Sequence, residues 1–241
     1  MSISPHKSNA FNTPNGTGAE QSAVSECGKR IFFVTGEQGC GKSTFLAALI
    51  QKFNLQPSGF ITKKETSPSE VAVYMHPVIG GTAIYRYTTG NRVGICSPPK
   101  PVGFAPVFDA CGVMHLQQAE ATVRASLDCG HSSADSSGCT ETVSQPHLPV
   151  ILMDELGVME ADAEIFFRTV CALFSNPRDY IIGAVKPRGT RFLPILEQMP
   201  EAAVFHLTPQ NRPVLYAQLE QAGSFAAFLH TIGGGFPNGK K

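Results

Sequence analysis

Short apolar runs alternate with segments of helical periodicity along most of the chain. Four runs have the composition of buried strands, and they occupy residues 30–35, 150–153, 180–185 and 203–207. Three segments predict amphipathic helices, at residues 43–53, 160–174 and 212–222, the last with Asn211 as N-cap residue and Gly223 at its end. Apolar strands separated by helices are typical of a parallel sheet covered on both faces. The pattern therefore predicts an α/β fold.

Residues 57–108 follow a different pattern, in which Thr, Val, Tyr and Ile segments are broken by Gly and Pro. This pattern predicts a small strand-rich insertion of short strands and hairpins on the parallel core. Three polar stretches contain too few large apolar side chains to offset the entropy of ordering. We interpret residues 1–28 as a disordered tail, 128–147 as a flexible Ser-rich insertion and 233–241 as a loose tail, around a domain at 29–232.

Charge and composition narrow the classes of partner. Lys plus Arg and Asp plus Glu number 19 each, so the formal net charge is zero and we expect neither nucleic-acid nor membrane binding. No apolar run is long enough to span a bilayer, and the first residues lack the pattern of a targeting segment. The seven cysteines are an odd number without paired spacing. These features predict a reduced, cytoplasmic protein.

Residues 36–43 match the phosphate-loop pattern G-x-x-x-x-G-K-[ST] between a predicted strand and a predicted helix. In such loops backbone N–H groups surround phosphate oxygens, the lysine reaches the β- and γ-phosphates, and the Ser or Thr hydroxyl ligates Mg²⁺. The motif therefore predicts a Mg²⁺-nucleotide site, with Lys42 as a catalytic cation and Ser43 as a metal ligand. The predicted nucleotide-binding residues of the loop are Gly36, Glu37, Gln38, Gly39, Cys40, Gly41, Lys42, Ser43 and Thr44.

The apolar run 150–153 ends in two acids, Asp154 and Glu155. In a phosphate-loop fold, an acid at the end of a neighbouring strand holds Mg²⁺ through water, and we assign this role to Asp154. A carboxylate directly after it can accept a proton from attacking water, which makes Glu155 the candidate base. A water-activating base favours a nucleoside-triphosphatase. A nucleotide or small-molecule kinase and a slow nucleotide-dependent switch remain alternatives.

Three further cations follow a predicted strand and could meet the phosphates. Lys186 comes directly after the run 180–185, and ligands of parallel sheets bind beyond the carboxyl ends of strands. The alternative is an ordinary solvated lysine. Arg188 and Arg191 are weaker candidates for stabilising the transferred charge.

Several motifs together resemble one family, the THEP-type, or cancer-related, nucleoside-triphosphatases. They are residues 36–43, Gly59-Phe60-Ile61-Thr62, Asp154-Glu155-Leu156-Gly157-Val158-Met159-Glu160, Phe166 and Thr208-Pro209-Gln210-Asn211-Arg212. The resemblance covers about residues 30–222. It implies a RecA-like P-loop core that hydrolyses ATP, GTP and other nucleoside triphosphates with Mg²⁺ and broad base tolerance. It also implies a nucleotide-binding role for Arg212.

Overall fold

The computed structural model describes residues 28–96, 100–129 and 147–233. The predicted tails and the Ser-rich insertion lie almost entirely outside these ranges. Within them, nine strands form one sheet. The strands are β1 (Ile31–Thr35), β2 (Leu55–Thr66), β3 (Val71–Ile79), β4 (Thr82–Ala83), β5 (Arg92–Ile95), β6 (Val102–Gly103), β7 (Leu148–Leu156), β8 (Ile181–Val185) and β9 (Ala202–His206).

Five of these strands form a parallel core in the order β2-β7-β8-β1-β9. Strands β3, β4, β5 and β6 extend the sheet beyond β2 in antiparallel pairing. The carboxyl ends of β1, β7 and β8 consequently meet at one edge, with β8 between the other two. The predicted α/β fold with a mostly parallel core and a strand-rich addition is confirmed.

Strand β2 belongs both to the parallel core and to the antiparallel extension. Its first half pairs with β7, and from Gly59 onward it pairs with β3 as well. The strand-rich region therefore starts as a core strand rather than as a set of short added hairpins. Gly59 is at the crossing, with φ 152°, and a Cβ there would overlap the carbonyl oxygen of Leu152. Only glycine allows the two strands to approach so closely.

Helices cover both faces of the sheet. They are α1 (Lys42–Lys52), α2 (Ala105–Val107), α3 (Val113–Cys129), α4 (Glu164–Ser175), α5 (Phe192–Gln198), α6 (Arg212–Gln221) and α7 (Phe225–Gly233), with a π-helical segment (Phe108–Gly112) joining α2 to α3. Helices α3, α4 and α5 pack on one face, where Leu116, Phe166 and Phe192 are buried. Helices α1, α6 and α7 pack on the other, which buries Phe45 and Phe228. None of the helices in the described ranges has the length and apolarity needed to cross a membrane.

Two predicted helices differ from the structure at their first residues. The segment predicted to be helical from residue 160 turns at 158–162, and α4 begins at Glu164. Asn211 does occupy the N-cap position of α6, but its side chain does not cap the helix. Instead, its amide oxygen accepts the Thr208 N–H at 2.8 Å and its amide nitrogen donates to the His206 carbonyl at 2.7 Å. The side chain thus closes the loop that precedes α6.

Candidate active site

Three glycines curl the loop between β1 and α1. Gly36, Gly39 and Gly41 have φ values of 148°, 80° and 103°, which residues other than glycine rarely adopt. A Cβ on Gly36 would also overlap the carbonyl oxygen of Leu207. The sequence thus allows the tight strand-loop-helix turn that a phosphate loop needs, and the loop opens directly into the amino end of α1.

The ammonium group of Lys42 lies under this loop and faces the strand that carries the acids. The side chain is buried, and its Nζ donates to the carbonyl oxygens of Gly36 at 2.9 Å and Glu37 at 3.2 Å. The same Nζ lies 4.0 Å from Oε2 of Glu155. Phosphate oxygens can compete for such a cation, because they carry a full charge and the loop carbonyls do not.

Both acids at the end of β7 lie near the loop because the strand is irregular there. Asp154 is opposite Ala184 of β8 and Leu156 is opposite Val185, which leaves Glu155 as an extra residue. Such irregularities re-aim side chains, and here they allow two consecutive acids to face the loop. Burial raises the pKa of Asp154, and the hydroxyl of Ser43, which donates to its carboxylate, opposes that rise.

The contact between Ser43 and Asp154 fits a site for Mg²⁺. A hydroxyl and a carboxylate are the hard oxygen donors that this cation prefers, and it commonly takes few protein ligands besides water and substrate phosphates. In residues 28–96, 100–129 and 147–233, no group of three or more His, Cys, Asp or Glu side chains could hold a metal ion. Water or phosphate oxygens would therefore complete the shell of a cation held by Ser43 and Asp154.

A cavity of about 430 Å³ opens beside the loop and the acids. Residues 36–38, Lys42, Glu155, 157–160 and 186–188 line the end nearest the phosphate loop. The cavity continues along the sheet to β2, β3 and β5, where its wall is formed by Thr62, Lys64, Val73, Val93, Cys96 and Phe108. Among these wall residues, only Thr62 belongs to a motif identified in the sequence. The others could not be predicted, because contacts between strands of a sheet do not follow from the local spacing of residues.

Glu160 is a buried acid of the cavity that we did not predict as a site residue. It is 4% exposed, and its carboxylate accepts the backbone N–H of Gly157. Burial raises the pKa of Glu160 to about 7, although the Gly157 N–H and the nearby Lys186 act in the opposite direction. Its place in the segment Asp154–Glu160 was the only sequence feature that could have indicated it.

The remaining predicted loop residues have different surroundings. Glu37 and Gln38 line the cavity with exposed side chains, and Thr44 is exposed in the first turn of α1. Cys40 is buried, and its Sγ would lie 2.9 Å from a Cβ on Gly36, so this side chain packs inward from the loop.

Of the predicted arginines, one lies outside the cavity and the other two lie beside residues of the phosphate loop. Arg191 pairs with Glu164 at 2.5 Å and lies 3.6 Å above the ring of Phe167, outside the cavity lining. Arg188 lines the cavity mouth, and its guanidinium lies 3.5 Å from the carboxylate of Glu37. The guanidinium of Arg212 would lie 3.7 Å from a Cβ on Gly41, so it covers the end of the loop that enters α1.

A glycine loop between a strand and a helix, with an acidic strand end two strands away, defines the class of P-loop nucleoside-triphosphate-binding proteins. A family model described as NTPase matches residues 113–219. The human cancer-related nucleoside-triphosphatase is 24% identical over 76% of this chain and 90% of its own length. Nucleoside-triphosphatase THEP1 of Aquifex aeolicus is 21% identical over 76% of this chain and 92% of its own.

The fold agrees with these matches. The crystal structure of THEP1 from Aquifex aeolicus superposes with a TM-score of 0.51 and 20% sequence identity, covering 79% of this chain and 95% of that one. The chain is thus similar to nucleoside-triphosphatases in sequence and to THEP1 in fold.

Proposed function

We propose that this protein hydrolyses nucleoside triphosphates to the diphosphate and inorganic phosphate with Mg²⁺. One observation carries the proposal: the Lys42 ammonium lies 4.0 Å from Glu155, while the Ser43 hydroxyl donates to Asp154. A phosphate-binding cation, a candidate base and two metal-binding oxygens thus converge at the carboxyl edge of the sheet. The names of the two relatives support the same reaction, since both are called nucleoside-triphosphatases.

The chain's own groups can be assigned to the steps of an in-line displacement. The loop amides and Lys42 bind the β- and γ-phosphates, and Ser43 and, through water, Asp154 hold Mg²⁺, which neutralises phosphate charge when bound. Glu155 orients a water molecule and accepts its proton as the oxygen attacks the γ-phosphorus. The bond between that phosphorus and the bridging oxygen breaks, and the diphosphate leaves with its negative charge near Lys42.

The position of Arg212, which is not among the residues that line the cavity, is compatible with broad base tolerance. Arg212 covers the end of the loop beside α1, where the α-phosphate and the nucleoside emerge. A guanidinium stacks on any base or contacts the ribose without reading one hydrogen-bonding pattern. We therefore expect ATP, GTP and other triphosphates all to be substrates.

The space at the far end of the cavity makes a kinase the second candidate function. Val73 and Val93 line it, and β5 lies three strands beyond β7, about 14 Å at the usual strand spacing. A hydrolase needs only one water molecule beyond the γ-phosphate, whereas a kinase needs room there for an acceptor. A nucleotide or small molecule in this space would receive the phosphoryl group in place of water.

A phosphate-release assay over four ribonucleoside and four deoxyribonucleoside triphosphates tests the proposal. We expect Mg²⁺-dependent release from several of them, and loss of release in Lys42→Ala. Lys52→Ala is the matched control, because Lys52 is a lysine of the same helix paired with Glu220 at the surface. Release that persists in a folded Lys42→Ala variant contradicts the assignment. Turnover of only about 10⁻⁴ to 10⁻² per second would favour a regulatory switch.

A further inference from the structure

Lys186 lies between the phosphate loop and the acid strand. Val185, the last residue of β8, is the register partner both of Thr35 in β1 and of Leu156 in β7. The residue after each partner is a glycine, so Lys186 is flanked by Gly36 on one side and Gly157 on the other. With strands about 4.8 Å apart, its Cα is one strand spacing from the phosphate loop and one from the segment after the acids.

Gly157 provides the surface on which the lysine stem lies. A Cβ on Gly157 would lie 3.2 Å from Cδ, 3.3 Å from Cε and 3.6 Å from Nζ of Lys186. Gly157 is not among the glycines with positive φ, so its backbone would accept alanine without strain. The lack of a side chain at position 157 therefore allows Lys186 to approach, and no unusual backbone conformation requires glycine there.

Glu160 holds the segment that carries Gly157. Its buried carboxylate accepts the Gly157 N–H, and it lies close enough to Lys186 to attract the ammonium. In the described part of the chain, however, no carboxylate oxygen comes within 4.0 Å of Lys186 Nζ. The lysine is oriented toward the cavity, and its charge is left for a ligand.

We propose that Lys186 contacts the γ-phosphate and distinguishes a triphosphate from a diphosphate, with Gly157 and Glu160 as its positioning residues. The proposal rests on the proposed function for the site and adds a second cation to it. Lys42 comes from the loop side and Lys186 from the end of β8, so the two ammonium groups would flank the transferred phosphoryl group. Charge that develops there in the transition state is then stabilised from both sides.

Substitution of Lys186 tests the contact. We expect Lys186→Met to weaken binding of Mg²⁺ with the β,γ-imido analogue of ATP by about 10-fold or more, and binding of ADP by less than about 2-fold. The single-turnover hydrolysis rate falls by about 30- to 1000-fold, and Lys186→Arg restores part of it. Lys52→Met, which also removes one positive charge, changes neither affinity.

Equal loss of triphosphate and diphosphate affinity in Lys186→Met, or hydrolysis at the wild-type rate, would overturn the proposal. The ratio of the affinity for the triphosphate analogue to the affinity for ADP does not depend on turnover. If the wild-type protein binds nucleotide but releases no phosphate, the proposed function fails, and the ratio still decides whether Lys186 detects the γ-phosphate.

Double substitution tests the positioning residues. Gly157→Ala moves the lysine by a few tenths of an ångström, so we expect hydrolysis to fall several-fold with ADP affinity unchanged. Glu160→Ala removes the acceptor for the Gly157 N–H and acts in the same direction, whereas Glu160→Gln keeps an acceptor oxygen and retains most activity. In a Lys186→Met background Gly157→Ala has no further effect, because residues that act through one another are not additive. Full additivity would contradict the positioning role.

Discussion

The two adjacent acids at the end of β7 have different environments. Asp154 is half-buried, contacts the Ser43 hydroxyl and has its pKa raised by desolvation. Glu155 is also half-buried but lines the cavity, and its partner at 4.0 Å is the ammonium of Lys42. Groups of the same type in different surroundings commonly take different roles. We therefore expect that replacing the carboxylate by an amide has a different effect on the reaction at Asp154 than at Glu155.

Glu155→Gln keeps the shape of the side chain and removes its basicity. We expect the single-turnover hydrolysis rate to fall by at least about 100-fold, since positioned acid–base groups contribute about 10²- to 10⁴-fold. Nucleotide affinity should be unchanged or slightly higher, because a negative charge near the phosphates is gone. Rapid-quench kinetics and calorimetric titration measure the two quantities.

Asp154→Asn is the matched comparison for that variant. It should raise the Mg²⁺ concentration needed for half-maximal activity and be partly rescued by excess metal. Hydrolysis by Glu155→Gln within a few-fold of the wild-type rate would assign water activation to another group.

Glu160 links pH to stability. Its pKa is raised to about 7 from an ordinary value of 4.5, so the folded state binds a proton that the unfolded state releases in this interval. The stabilising contribution of the protonated form is complete below pH 4.5 and is lost as pH rises through 7. A shift of this size corresponds to about 3 kcal/mol.

Glu160→Gln removes this titration. Relative to wild type, we expect the variant to gain stability between pH 5 and pH 8, by up to about 3 kcal/mol. Urea unfolding at both pH values measures the difference. The same stability difference between variant and wild type at pH 5 and pH 8 would show that Glu160 does not titrate with a raised pKa.

Among the secondary-structure elements, the close contact between β2 and β7 joins the parallel core to the antiparallel extension. The strands carry the acids on one side and the far cavity wall on the other, and Gly59 lies where the pairing of β2 changes from one neighbour to two. Separation of these strands would shift both Thr62 and Asp154. The fit between two elements therefore influences the shape of the site.

Gly59→Ala is expected to destabilise the protein by at least about 2 kcal/mol, because the Cβ overlaps the Leu152 carbonyl oxygen at a φ of 152°. Gly223→Ala is the control, since a Cβ on Gly223 meets nothing within 4 Å. Chemical denaturation of both variants provides the comparison. If both variants unfold like wild type, β2 and β7 can separate without cost.

The molecule as a whole is two hydrophobic layers on either side of one sheet, and the site lies where three strands of that sheet end. The loop after β1, the acids of β7 and Lys186 after β8 approach the same cavity from different parts of the chain. A bound nucleotide would therefore connect residues far apart in sequence. It should stabilise the whole fold rather than one loop.

Binding of the β,γ-imido analogue of ATP with Mg²⁺ at 100 times its dissociation constant should add about 2.7 kcal/mol of stability. For a chain of this size that corresponds to a rise of about 5 to 10 °C in Tm. Differential scanning calorimetry with and without EDTA measures it, and Lys42→Ala should lose most of the shift. An equal rise in Tm in the Lys42→Ala variant would show that the nucleotide binds at a different site.

The amino-acid sequence by itself determined the features that depend on local pattern. The phosphate loop could be predicted because its glycines, Lys42 and Ser43 are consecutive and act within one turn of the backbone. The core strands could be predicted because strands buried on both faces are continuously apolar, and Asp154 and Glu155 are visible as the polar end of such a run. Helix α3 was not predicted, although Leu116, Ala119 and Val123 occupy its buried face.

Only the tertiary structure decided which distant residues share the cavity. Lys186 lies between Gly36 and Gly157 because of strand register, and register depends on pairing between segments that no local spacing encodes. Glu160 has a raised pKa because the turn before α4 carries it out of water, whereas its sequence neighbourhood reads as the start of a helix. Gly59 likewise needs the carbonyl of Leu152 beside it to explain why it is glycine. Burial, register and close approach are properties of the packed sheet, and they exist only once the chain has folded.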